Sequence, residues 1–245
     1  MQARYDAEWR HIKALPVGER VAAIGAHTAK WNKTLNRRKT ALITAAEVND
    51  TEAVRYLLSQ GIVDLNERDY NGDTALSMAT MLGYAELARL LLAHGADPNA
   101  SHNSPLTEAC RLNMGQGDFE LVRLFVEKGA LVEFDVEEHG PRPLQVAHNI
   151  EIVKYLIAKG ANPAKVSCGH NALMGAGAGS VEMMKLHLEH GADPNILYPP
   201  KDATVLDYVL MGDDKKSQEQ AALLRQYGAL TAAELKAKQA REAAK

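Results

Sequence analysis

The sequence predicts an all-α protein, a solenoid of stacked antiparallel helix pairs joined by hairpin loops, with capping helices at both ends. Three observations predict it. A glycine-centred segment recurs after each of six leucine-rich stretches. A T-A-L-like tripeptide recurs ahead of each of them. The composition, dominated by Leu and Ala with 3 Phe and 2 Trp, suits thin layers of closely approaching helices better than a thick sandwich core.

The glycine-centred segment is clearest as G-A-D-P-N, found at Gly95 to Asn99 and again at Gly191 to Asn195. Weaker copies are GIVDLN from Gly61, GALVE from Gly129, GANPA from Gly160 and a truncated YGAL from Tyr227. Each follows an apolar stretch: VRYLLSQ, ARLLLAH, VRLFVEK, VKYLIAK, MKLHLEH and AALLRQY. The preceding tripeptides begin at Thr40, Thr74, Ser104, Arg142, Asn171 and Thr204, so the starts lie about 34, 30, 38, 29 and 33 residues apart.

Each unit has a physical reading. Thr, Ser or Asn ahead of the first apolar residues caps a helix by accepting from a free N–H. Pro105 and Pro143 suit the first turn, where no backbone donor is needed. A short Ala-rich helix follows, and the chain turns at Asn49-Asp50, Gly83-Tyr84, Gly117-Asp118 and Gly179-Ser180. The second helix carries a strong apolar face and stops at a glycine suited to the left-handed C-terminal position: Gly61, Gly95, Gly129, Gly160, Gly191 or Gly228.

These markers together resemble the ankyrin-repeat family, whose pattern is T-P-L-H-x-A, a G-H turn, a leucine-rich helix and G-A-D-x-N. The resemblance covers about residues 36–230, divided at about 36–69, 70–100, 101–138, 139–166, 167–198 and 199–230. The family's histidine after T-P-L is absent throughout, its place taken by Ile43, Ser77, Thr107, Gln145, Met174 and Asp207. The Thr–His hydrogen bond that the resemblance implies is therefore missing, which predicts less regular repeats. An insertion around Asn113 to Gln116 lengthens the third repeat, and the fourth is short of about one helical turn in its first helix.

Residues 1–35 match no repeat and read as a cap of two helices. The first runs from about Tyr5 to Leu15 and ends at Pro16; the second runs from about Glu19 to Trp31, with Val21, Ile24, Thr28 and Trp31 on one face. Residues 231–245 form a C-terminal helix, opened by a capping box of Thr231 and Glu234.

The remaining readings exclude more than they assign. A net charge of −3 gives nucleic-acid binding no support, and no apolar run reaches membrane-span length. The N-terminus lacks the apolar core of a secretory signal, so a cytoplasmic location is expected, with export by another route left open. Cys110 and Cys168, in no ligand-like spacing, read as thiols of a reducing compartment. His187 and His190 have a chelating spacing on one helix, yet His190, like His94, sits just before a capping glycine, and a capping or buried role is the simpler reading. Gly175 to Ser180 lack the Lys-Ser/Thr of a phosphate loop and instead allow close helix packing. Beside them, Met174, Met183 and Met184 read as core filling, or else as an adaptable surface. No catalytic residue, cofactor or metal is expected.

The resemblance implies a protein-binding scaffold that docks an unknown partner on the concave face, at hairpin tips and the exposed side of the first helices. On that basis the candidate contacts are Arg68, Asp69, Tyr70, Met81, Leu82, His102, Arg111, Leu112, His139 and Tyr198. Tyr70, Tyr198, Met81 and Leu82 lead, because exposed aromatic and apolar anchors carry most interface energy. Alternatives are a small-ligand-binding solenoid and a microbial effector acting on a host protein. Sealed ends predict a monomer.

Overall fold

The computed structural model describes residues 9–35, 39–61, 63–112, 117–133, 140–167, 169–177, 180–199 and 202–243. The chain divides into two compact units, one of Met1–Ala109 with Glu120–Leu131, the other of Cys110–Phe119 with Val132–Lys245. The insertion expected around Asn113 to Gln116 lies outside the described residues.

The first unit opens with α1 (residues 9–14) and, past Pro16, α2 (Val17–Leu35). The latter is longer than the expected Glu19 to Trp31, because polar residues without a breaker extend the helix beyond the last apolar-face position. Trp9 is buried edge-on against His27, ring centroids 4.9 Å apart. Arg20 fixes α2 to the first repeat: its Nη1 donates to Asp50 Oδ1 at 3.0 Å and Glu52 Oε2 at 3.1 Å. Thr28, the polar member of the apolar face, is buried with its hydroxyl 2.8 Å from that of Thr44.

Two kinds of helix then alternate. The first helices are α3 (Ala41–Glu47), α5 (Ala75–Met81), α7 (Pro105–Arg111), α9 (Pro143–Val146), α11 (Ala172–Gly177) and α13 (Val205–Val209). The second helices are α4 (Thr51–Ser59), α6 (Ala85–Ala93), α8 (Phe119–Glu127), α10 (Ile150–Ala158), α12 (Val181–Glu189) and α14 (Lys215–Gln226), and α15 (Ala232–Ala243) closes the described chain. The four-residue α9 is the shortened helix foreseen for the fourth repeat.

Local chemistry explains the starts. Thr40, Thr74, Ser104 and Thr204 each accept the N–H three residues on, at 3.1, 3.1, 3.2 and 3.3 Å. Where the family's histidine is missing, three of its replacements fold back on the cap instead. Ser77 Oγ accepts from Thr74 N–H at 2.9 Å, Gln145 Oε1 from Arg142 N–H at 2.8 Å, and Asp207 Oδ2 from Thr204 N–H at 2.8 Å. The lost Thr–His contact is therefore offset locally at these positions.

At four junctions successive repeats are tied by the last residue of the glycine-centred segment. Asn66 Oδ1 accepts from Asp97 N–H at 2.8 Å. Asn99 accepts from Leu131 N–H at 3.0 Å and donates to Gly129 O at 2.9 Å. Asn195 repeats this with Leu230 N–H at 2.8 Å and Gly228 O at 3.2 Å. Glu133 stands in for asparagine and accepts from Asn162 N–H at 2.7 Å.

In the second unit the core gathers Leu173, Met184, Leu188, Tyr198, Leu206 and Leu224. Met184 belongs to it and Met183 is buried as well, so both fill core and offer no adaptable surface. A Cβ on Gly175 of α11 would meet Gln145 O of α9 at 2.7 Å, so the glycine is there for close helix approach. Gly175→Ala is expected to destabilise by about 1–3 kcal/mol, although alanine raises helix propensity by about 1, because the opposing atom is backbone and cannot swing away. Urea unfolding of the full chain checks the sign.

The last helix starts with the foreseen capping box, Glu234 Oε2 accepting from Thr231 N–H at 2.7 Å. Arg225 donates to both Glu234 oxygens, at 2.7 and 3.0 Å, and this contact brings the Glu234 carboxyl down to about 2. Beyond that first turn, α15 has no buried residue.

Candidate functional site

Tyr70 stands at the apex of a closed hairpin turn. Asp69 builds the turn: its Oδ1 accepts from the N–H of Asn71 at 2.8 Å and of Asp73 at 3.0 Å, and its own N–H donates to Asp73 O at 2.8 Å. Gly72 closes it at φ +80°, and a Cβ there would sit 1.7 Å from the His102 ring, so only glycine fits under that imidazole. The next hairpin locks on through His102 N–H, which donates to Gly72 O at 3.1 Å, and through Arg68 Nε, which donates to Ala100 O. The backbone is held from both sides while the Tyr70 side chain remains 72% exposed. An aromatic so fixed loses little freedom when a partner covers it.

Met81 and Leu82, at the end of α5 in the same repeat, are 46% and 41% exposed. The first unit therefore holds six of the candidate contacts, and they divide by role. Arg68 and Asp69 fasten backbone; His102 is exposed but packs on Gly72; Tyr70, Met81 and Leu82 present apolar surface. In the second unit Arg111 is exposed and Leu112 half-buried. His139 lies outside the described residues.

Tyr198 requires correction. Expected as an exposed anchor, it is fully buried, its hydroxyl donating to Asn171 Oδ1 at 2.7 Å and its ring stacked on His170 at 5.3 Å. Burial raises its pKa well above the ordinary tyrosine value. Tyr198 N–H donates to Ala203 O at 2.9 Å across the hairpin, and the ring fills core space shared with Leu173 of α11 and Leu206 of α13. Ser101 and Ser167, also hairpin positions, are buried as well.

The histidines take the simpler roles. His94 and His190 place Nδ1 2.9 and 2.8 Å from the carbonyl oxygens of Leu90 and Leu186, capping the ends of their helices. His187 is buried, and burial, with His190 alongside, lowers its pKa to about 4. Among the described residues no group of three His, Cys, Asp or Glu side chains is placed to hold a metal ion, and no helix is long and apolar enough to cross a membrane.

The family model for ankyrin repeats, in three copies, matches residues 18–102. A solved ankyrin repeat domain from Acinetobacter baumannii superposes with a TM-score of 0.61 at 29% identity, covering 77% of this chain and 98% of that one. This chain is an ankyrin-repeat protein. The ankyrin repeat and KH domain-containing protein mask-1 of Caenorhabditis elegans is 29% identical over 193 residues, 77% of this chain but 7% of that protein. A putative ankyrin repeat protein of Rickettsia felis is 31% identical over 131 residues, 52% of this chain and 43% of that protein. The chain thus spans less than half the length of either curated relative. Ankyrin repeats generally mediate protein–protein contacts, and this array has the family's helix pairs and hairpins to do so.

Two features of the ankyrin array were missed from sequence. Met211, 69% exposed, occupies in α13's repeat the position that Met81 holds in its own, seven residues after the capping threonine. The shared register was the available signal. The segment Lys30 to Lys39 contains five basic residues, with no acidic residue between Glu19 and Glu47. At its base Asn32 Nδ2 donates to Lys39 O at 2.7 Å and Lys39 Nζ pairs with Glu47 at 2.7 Å, while Arg37 and Arg38 lie outside the described residues.

Proposed function

We propose that this chain is a non-enzymatic interaction scaffold that docks a partner protein on the hairpin-and-first-helix surface around Tyr70, Met81 and Leu82. The observation that carries the reading is a 72%-exposed tyrosine on a turn closed by Asp69 and wedged under His102. Nothing in the packing of the repeat needs Tyr70 to be aromatic, whereas a rigid, exposed aromatic beside two exposed aliphatic side chains suits an interface centre. Arg68 and Asp69 act by holding the turn.

The test is capture from lysate with the full chain, followed by binding of the purified partner by calorimetry. The variant Tyr70→Ala, Met81→Ala, Leu82→Ala is expected to keep its circular dichroism spectrum and to bind at least roughly 30-fold more weakly, the loss of one hot spot of about 2 kcal/mol. An unchanged dissociation constant with a folded triple variant removes this surface from the proposal.

A further inference from the structure

We infer that the ankyrin array has one built-in hinge, at the junction between the α9–α10 and α11–α12 repeats, pivoting on the contact of Gly175 with α9. Four other junctions carry a side-chain tie across the loop after the second helix: Asn66 to Asp97, Asn99 to Leu131, Glu133 to Asn162 and Asn195 to Leu230. In each, a side-chain oxygen takes the N–H of the third residue in the next glycine-centred segment. At this junction the corresponding residue is Ala164, which has no acceptor, and the corresponding donor is the N–H of Asp193.

The helices at this junction are built to turn rather than to grip. Four residues long, α9 offers little more than one turn for α11 to pack on. The approach is closest where the bare backbone of Gly175 faces Gln145 O. Hairpin-side bonds hold near that point: Gln145 Nε2 donates to His170 O at 2.6 Å and Ser167 Oγ to Gly140 O at 2.7 Å. On the second-helix side, α10 and α12 are linked by an ion pair of Lys154 with Glu182 at 3.6 Å, both side chains largely exposed. Such a pair resists separation weakly. A tight pivot, bonds beside it and a far edge held by an exposed ion pair in place of the asparagine tie describe a hinge that gapes between α10 and α12.

Residue-resolved hydrogen exchange on the full chain tests this. The Asp193 amide is expected to exchange at least roughly tenfold faster than those of Asp97 and Asn162, whose positions are tied. Ala164→Asn restores the missing acceptor and is expected to slow Asp193 together with the amides of α10 and α12. Equal protection of Asp193 and Asp97 in the wild type overturns the hinge. So does slowing confined to Asp193 in the variant, which reports a new local bond without any opening to suppress. Asn195→Ala supplies the reciprocal case: it removes the next tie, and the amides of α12 and α14 are expected to accelerate together. Acceleration confined to Leu230 contradicts the inference.

Discussion

Tyr198→Ala is expected to destabilise the second unit by about 3–5 kcal/mol, while Tyr70→Ala stays within about 0.5 kcal/mol of wild type. Both tyrosines stand in hairpins, and sequence position alone ranks them together. Their surroundings differ. Tyr198 has no exposed surface and packs among Leu173, Leu206 and Leu224, so truncation leaves a cavity that the neighbouring helices close only in part. Tyr198→Phe separates the ring from the hydroxyl. It is expected to cost about 1 kcal/mol, because Asn171 Oδ1 loses one donor but still accepts from Leu173 N–H at 3.1 Å. Urea unfolding monitored by far-ultraviolet circular dichroism measures all three. Equal, small losses for Tyr198→Ala and Tyr70→Ala contradict the buried placement.

Acid is expected to weaken the same unit through His187. Its imidazole is buried in α12 with Nδ1 lacking a hydrogen-bond partner, and burial, with His190 alongside, lowers its pKa from 6.5 to about 4. Between those values the unfolded chain binds a proton that the folded chain refuses, so stability rises with pH. The contribution is complete above pH 6.5 and is lost as pH falls toward 4, for a total of roughly 3 kcal/mol. His187→Leu removes the titrating group and its unpartnered nitrogen while keeping an apolar side chain of similar reach. It is expected to match wild type or exceed it at neutral pH and to flatten the acid limb by about one proton. Denaturation midpoints from pH 7 to pH 4 for both proteins decide it; parallel curves remove His187 from the account.

Much of the architecture was legible because it rests on short-range chemistry repeated many times. A threonine or serine before an apolar run is a cap wherever it falls, and Thr40, Thr74, Ser104 and Thr204 all cap. The glycines ending the second helices all adopt positive φ, from +66° at Gly61 to +98° at Gly160, because no other residue enters that conformation as readily. The shortness of α9 could be read from residue counts alone. The box at Thr231 and Glu234 needed a spacing of three residues and nothing more.

The candidate site was legible only in part. Tyr70, Met81 and Leu82 stand exposed as their register suggested, yet Tyr198 is core and Met211 went unnoticed. A hairpin's local sequence specifies a turn but not the direction its apex side chain takes. That direction is set by whether a space exists beneath it, and for Tyr198 the space lies between α11 and α13, elements brought together only by folding. The ties across repeats show the same limit. Asn66, Asn99 and Asn195 look like turn residues until the neighbouring repeat places an N–H about 3 Å away. What the sequence by itself determined was each repeat: where helices start, stop and turn, all decided within a few residues along the chain. What only the tertiary structure decided was burial and the bonds between repeats, because both depend on atoms about 30 residues away whose arrival no local pattern encodes.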